Sequence, residues 1–229
     1  MARRPEVIVA LDFPDPESAW SLVEVLPENT WYKVGLELYT RAGPPVVERL
    51  VGEGRNVFLD LKLHDIPNTV AGAVRSASRL GTKLLTVHAA GGEAMLRAAA
   101  DAAAGQPRLL AITVLTSLDD VSLSAVFGPG ASVEETVGRL AGLARESGID
   151  GVVSSVNECR AIKLACGEEF LVVTPGIRLA GQGVQDQARV ATPAVARSAG
   201  ADFLVVGRTI TKAADPAAAL EMVRAALEE

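Results

Sequence analysis

The chain is poor in the residues from which metal centres and disulfide scaffolds are made, with two cysteines and two histidines among 229 residues. A zinc cluster, an iron-sulfur site or a disulfide framework is hard to assemble from that set. Cys159 and Cys166 stand seven apart in a helical stretch, where cysteine behaves as a small buried hydrophobe and a mutual disulfide is awkward. Long apolar runs are missing too: no window approaches the 18 or more uncharged apolar residues of a membrane span. The N-terminal MARRPEVIVALD reaches Asp12 after too few apolar residues for a signal-peptide core. A reducing cytoplasm and no membrane partner are the expectations. Positive charge is in deficit, 22 Lys and Arg against 28 Asp and Glu for a net charge of -6. This argues against a nucleic-acid or anionic-membrane surface spread over the molecule. Any anion must be caught locally.

Apolar residues at 49 % and charged residues at 22 % are close to the soluble globular average, so a buried core is expected and disorder is not. Short β-branched or apolar runs recur at 7–11, 31–36, 56–62, 83–88, 108–115, 151–156, 170–174 and 202–207. Between them lie stretches with helical periodicity, such as PESAWSLVEVL, GEAMLRAAADAAA, VEETVGRLAGLARESG and QARVATPAVARSAG. Strands that are apolar on both faces and alternate with helices imply a covered parallel sheet. Eight such units close most simply into a (β/α)8 TIM barrel, a fold that takes about 250 residues. An open doubly wound sheet competes, but LDFPDPESAW follows the first strand where that fold carries a Gly-rich fingerprint. No linker or change of composition divides the chain, so residues 1–229 are expected to form one domain.

In a parallel barrel, polar residues at the C-terminal strand ends face the active-site mouth. Period-two alternation in the third strand puts Phe58, Asp60 and Lys62 on one face and Val57, Leu59, Leu61 and Leu63 on the other. With the leucine face against the helices, Asp60 and Lys62 project into the mouth, and Asp65 follows three residues later. This forces two carboxylates and an ammonium together. In the second strand Trp31, Lys33 and Gly35 share a face, and the first strand ends in Asp12. A lone D-x-K also reads as a solvated ion pair worth about 0–1 kcal/mol. Each of the other charges could be a cap or a barrel-filling pair. After strands seven and eight, TPGIRLAGQGVQDQ and VVGRTIT place Arg178 and Arg208 beside Gly176 and Gly207. Exposed amides and guanidinium groups there suit a phosphate, and these loops are the usual phosphate site of the fold. The stretches 115–132 and 177–184 are the longest connections and are expected to act as lids. His64, on the odd-numbered side, is expected to point away from Asp60 and Lys62, and structural hydrogen bonding is expected of both His64 and His88.

VALD at 9–12, KVGLEL at 33–38, FLDLKLHDIPNTV at 58–70, VHAAGG at 87–92, VLTS at 114–117, TPGIR at 174–178, DQARVATP at 186–193 and VVGRTIT at 205–211 together resemble the orotidine 5'-monophosphate decarboxylase family along nearly the whole chain. FLDLKLHDIPNTV is the most specific of these. The resemblance implies that Lys62 protonates C6 of the pyrimidine and that Asp60 lies beside the departing carboxylate. It implies that Asp65 enters from the neighbouring subunit of a homodimer to complete an alternating array with Lys33. Asp12 and Lys33 would hold the ribose hydroxyls, with Thr69 reaching the ribose from across the dimer, and Ile66 would be a further substrate-binding residue. Thr116 and Ser117 would meet the base, Gln187, Arg178, Gly207 and Arg208 would bind the phosphate, and Pro175 would also contact substrate. No cofactor and no metal are expected. Related barrels acting on sugar phosphates share the D-x-K-x-x-D pattern but use magnesium and carry an acidic residue where this chain has Lys33. A non-catalytic nucleotide-binding barrel is the other alternative, and the cluster around Lys62 exceeds what phosphate binding requires.

Overall fold

The computed structural model describes residues 4–179 and 190–228. Eight parallel strands, each paired with the next and the eighth with the first, close into a barrel in sequence order. They are β1 Glu6–Ala10, β2 Trp31–Val34, β3 Asn56–Leu63, β4 Leu84–His88, β5 Arg108–Ile112, β6 Gly151–Val153, β7 Leu171–Thr174 and β8 Phe203–Val206. Every strand read from the sequence is present. Helices α1 Pro16–Val25, α2 Leu36–Ala42, α3 Pro44–Gly52, α4 Pro67–Arg79 and α5 Gly92–Ala103 cover the first half. The second half carries α6 Asp120–Phe127, α7 Val133–Glu146, α8 Val156–Cys166, α9 Pro193–Ala199, α10 Arg208–Thr211 and α11 Pro216–Ala225.

Strand alternation sorts the core into two layers. Val7, Val9, Val57 and Leu59 pack outward against the helices, while Ile8, Ala10, Phe58, Leu84, Leu110, Val173 and Phe203 fill the barrel. Helix starts follow local chemistry. The Asp15 side chain accepts the Ser18 N–H ahead of Pro16, and Glu158 reaches back to the Ser155 N–H, so β6 ends at Val153 and not at 156. The 115–132 connection is not a bare loop: Asp119 accepts the Ser122 N–H and opens α6, which ends at Gly128 with φ 100°. The helix expected from 187 begins at Pro193 behind the cap Thr192, and Ala191 instead bridges Ile177. Most of the 177–184 connection lies outside the described residues. Both cysteines are free and buried on α8, and burial pushes the Cys159 thiol up to about 11. Among the described residues no helix is long and apolar enough to cross a membrane.

The N-terminal end of the barrel holds an ion pair between buried Lys163 and half-buried Asp202. Lys163 Nζ lies 2.7 Å from Asp202 Oδ2 and also donates to the carbonyls of Glu168 and Phe170. The same Asp202 oxygen accepts the Val172 N–H at the start of β7. Removing one partner of a buried pair strands the other, so Lys163→Met should cost about 3 kcal/mol in urea unfolding. Saturated turnover should be unchanged, because the pair lies at the end of the strands opposite the mouth.

Candidate active site

At the C-terminal strand ends a cavity of about 770 Å³ opens, floored by Ala10, Phe58, Ile112, Val153 and Val205. Asp12, Lys33, Asp60 and Lys62 stand on one side, and Pro175, Gly176, Arg178, Gly207 and Arg208 on the other. One side thus alternates charge over an apolar floor, and the other offers two guanidinium groups and glycine backbone.

Asp60 is the centre of the charged side. Lys62 Nζ lies 2.8 Å from its Oδ2 and Lys33 Nζ 3.8 Å from the same oxygen, while Lys33 also meets Asp12 Oδ1 at 2.8 Å. Lys33 and Asp60 are buried, Lys62 is half-buried and Asp12 is exposed. Unit charges 4 Å apart interact by about 4 kcal/mol at an effective dielectric near 20. Desolvation costs several kcal/mol per ion, so both lysines and both aspartates must hold their places for the cluster to persist. Gly35 is part of that arrangement. A Cβ built there stands 2.7 Å from Lys33 Nζ and 3.2 Å from Asp12 Oδ1. Its φ of -97° suits any residue, so Gly35→Ala should add no backbone strain while pushing the ammonium aside. We expect kcat/KM to fall by roughly 10- to 100-fold, as for a small misplacement of a reacting group.

The β3 alternation holds through Asp60 and then breaks. Lys62 has φ 50°, and the register with β4 shifts between Leu59 and Leu63. Thr86, which the sequence reading passed over, meets this break. It is fully buried, and its hydroxyl accepts the Lys62 N–H and donates to Asp60 Oδ1. The signal was available, because Leu84, Thr86 and His88 share the inward face of β4 by the rule applied to β3. Phe13, Pro14, Val114, Leu115, Thr211 and Lys212 complete the wall; the first four lie just past strand ends and the last two at the end of α10, where no strand alternation guides the reading.

Of the residues singled out from the sequence, Asp12, Lys33, Asp60, Lys62, Thr116, Pro175, Arg178, Gly207 and Arg208 line one cavity. Asp65 does not join Asp60 and Lys62 within the chain, contrary to the expectation from spacing. It is exposed and turned onto the Ile66 N–H at 2.6 Å; the left-handed kink at Lys62 breaks the extended alternation from which its direction was read, and β3 ends at Leu63. Ile66, Thr69 and Ser117 are likewise exposed and outside the cavity lining. Gln187 lies outside the described residues. His88 accepts the Ala90 N–H through Nδ1 and stacks on His64, the ring centroids 5.0 Å apart. Burial, followed by the charges of His64 and Lys62, holds His88 below the usual histidine range, so it is a neutral cap.

The family model described as orotidine 5'-phosphate decarboxylase / HUMPS matches residues 5–223. The chain belongs to that family. A relative from Moorella thermoacetica named orotidine 5'-phosphate decarboxylase is 52 % identical, covering 100 % of this chain and 94 % of its own length. One of the same name from Halorhodospira halophila is 53 % identical over 96 % of this chain and 95 % of its own. Among solved structures, the orotidine 5'-phosphate decarboxylase of Lactobacillus acidophilus superposes with a TM-score of 0.88. It is 39 % identical, with 99 % of this chain and 100 % of that one covered. The family resemblance read from FLDLKLHDIPNTV is therefore correct, as is the barrel.

Proposed function

We propose that this chain, acting as one domain, decarboxylates orotidine 5'-monophosphate to uridine 5'-monophosphate and CO2 without a cofactor, closing de novo pyrimidine nucleotide synthesis in the cytoplasm. The observation that carries the reading is the Asp60 carboxylate held between the Lys33 and Lys62 ammonium groups in a cavity whose far wall bears Arg178, Gly207 and Arg208. The arginine wall takes the phosphate and Asp12 with Lys33 the ribose hydroxyls, while Thr116 meets the base. Asp65, Ile66, Thr69 and Ser117 complete the site as the chain pairs into a homodimer, the first three reaching the partner's cavity. Their exposure in the single chain supports that division. Gln187 joins the phosphate contacts.

The C6–carboxylate bond breaks, its electron pair stays on C6, and CO2 leaves. Lys62 Nζ then gives its proton to C6 and recovers one from solvent. A fixed ammonium stabilises charge as it develops and needs no reorganisation at that moment. Asp60 disfavours the substrate carboxylate and relaxes as CO2 departs. Binding energy from the remote phosphate orients the base. The magnesium-dependent sugar-phosphate alternative is disfavoured by Lys33, an ammonium lodged beside both Asp12 and Asp60 where a divalent cation would meet its repulsion. The test is to add orotidylate to EDTA-treated protein and follow the orotate-ring absorbance. Loss of absorbance and appearance of uridylate are expected; no turnover by the wild type overturns the assignment.

A further inference from the structure

The bulge in β3 leaves a backbone problem that one side chain solves. Four residue steps from Leu59 to Leu63 run opposite two from Leu85 to Val87, so Lys62 falls out of the ladder at φ 50°. A left-handed conformation at a non-glycine residue is strained and persists only where its surroundings enforce it. Thr86 lies in the two-residue span of β4 facing the bulge. Its Oγ1 accepts the Lys62 N–H at 2.8 Å and donates to Asp60 Oδ1 at 3.0 Å. A hydroxyl has one proton, so with a backbone N–H on its lone pair that proton is directed to Asp60. Asp60 Oδ1 is thereby pinned and Oδ2 is presented to both ammonium groups.

We propose that Thr86 is a positioning residue. It holds the strained Lys62 backbone and the Asp60 carboxylate in mutual register, so that the proton-donating ammonium stands where the reaction requires it. Thr86 acts through Lys62 and Asp60 and not on substrate. This rests on the decarboxylase reading above. It implies a fall in kcat without a matching loss of binding, because the phosphate wall belongs to other strands. Thr86→Val keeps the shape and removes the hydroxyl; Thr86→Ser restores it.

With the wild type turning over orotidylate, Thr86→Val should lower kcat on the order of 100-fold, the effect of displacing a reacting group by about 1 Å. KM should stay within about threefold, as for an interaction made only on the way to the transition state. Thr86→Ser should recover most of the rate. Equal kcat for Thr86→Val and wild type, or a Ser variant as slow as the Val variant, overturns the proposal. Crystal structures of both variants give a readout independent of activity. In Thr86→Val, Lys62 should leave its left-handed conformation or draw away from Asp60, and in Thr86→Ser it should do neither. A valine variant with Lys62 still left-handed and within hydrogen-bond reach of Asp60 refutes the role even if the rate falls. An inactive wild type would refute the decarboxylase reading, while the geometry of the two variants would still decide whether Thr86 holds Lys62.

Discussion

Replacing Lys62 by alanine should reduce kcat for orotidylate on the order of 10⁴-fold or more, since it removes the proposed proton donor and a fixed charge together. Lys62 is the more accessible of the two ammonium groups at Asp60, half-buried where Lys33 is buried. Of these two, it combines contact with Asp60 and solvent access for regaining its proton. The loss should lie in kcat. The arginine wall and the Lys33–Asp12 pair are untouched by the substitution, so uridine 5'-monophosphate should bind within about tenfold of wild type, the pattern of an interaction realised only in the transition state. Asp60 keeps Lys33 at 3.8 Å and the Thr86 hydroxyl at 3.0 Å, so the carboxylate is not stranded and the variant should fold. Single-turnover measurements of orotate-ring loss together with product titration separate the two quantities. Undiminished turnover by Lys62→Ala would sink the assignment of Lys62 as proton donor. A parallel loss of product affinity would instead say that its charge serves binding.

The barrel was legible because two periodicities alternate without interruption. β-branched runs such as VIVAL and FLVVT have only a fully covered parallel strand to become. Asp12, Lys33, Asp60 and Lys62 were legible for a related reason, since a charge on the inward face of an apolar strand has only the mouth to occupy. Arg178 and Arg208 followed from the position of their loops. What escaped was set by register and by packing between strands. The shift between β3 and β4 appears only when the two strands are paired, and without it neither the left-handed Lys62 nor the task of Thr86 can be inferred. The position of Asp65 failed for the same cause: spacing assumed an extended chain past Lys62, and the chain turns there. Alternation placed Gly35 on the face of Lys33, but that Asp12 also comes within reach of a Cβ at Gly35 depends on the pairing of β1 with β2. Lys163 and Asp202 are 39 residues apart, and the packing of α8 on β7 with the pairing of β7 and β8 brings them together.

Mixing Asp60→Ala and Asp65→Ala chains, each inactive alone, should restore about a quarter of wild-type activity once subunits have exchanged. The figure follows from two-fold symmetry. Equal amounts of two chains give heterodimers as half of all dimers. In each heterodimer one site carries both substitutions and the other carries neither, so about one site in four is intact. Within one chain the Asp65 carboxylate is exposed and bound to its own backbone at Ile66, outside the cavity that holds Asp60. Asp65 lies immediately before α4, as do Ile66 and, within the first turn, Thr69. These side chains therefore form a contiguous exposed edge that can enter a neighbour's cavity as a unit. Ile66 is 68 % exposed, a large apolar surface for a lone chain to leave in water. If Asp65 instead served the site of its own chain, the heterodimer would contain one site lacking Asp60 and one lacking Asp65, and no activity would return. The mixture should be followed by orotidylate turnover, with exchange monitored by mass spectrometry of differently tagged chains. Activity rising in step with the heterodimer fraction supports a site built from two subunits, and a silent mixture with complete exchange refutes it.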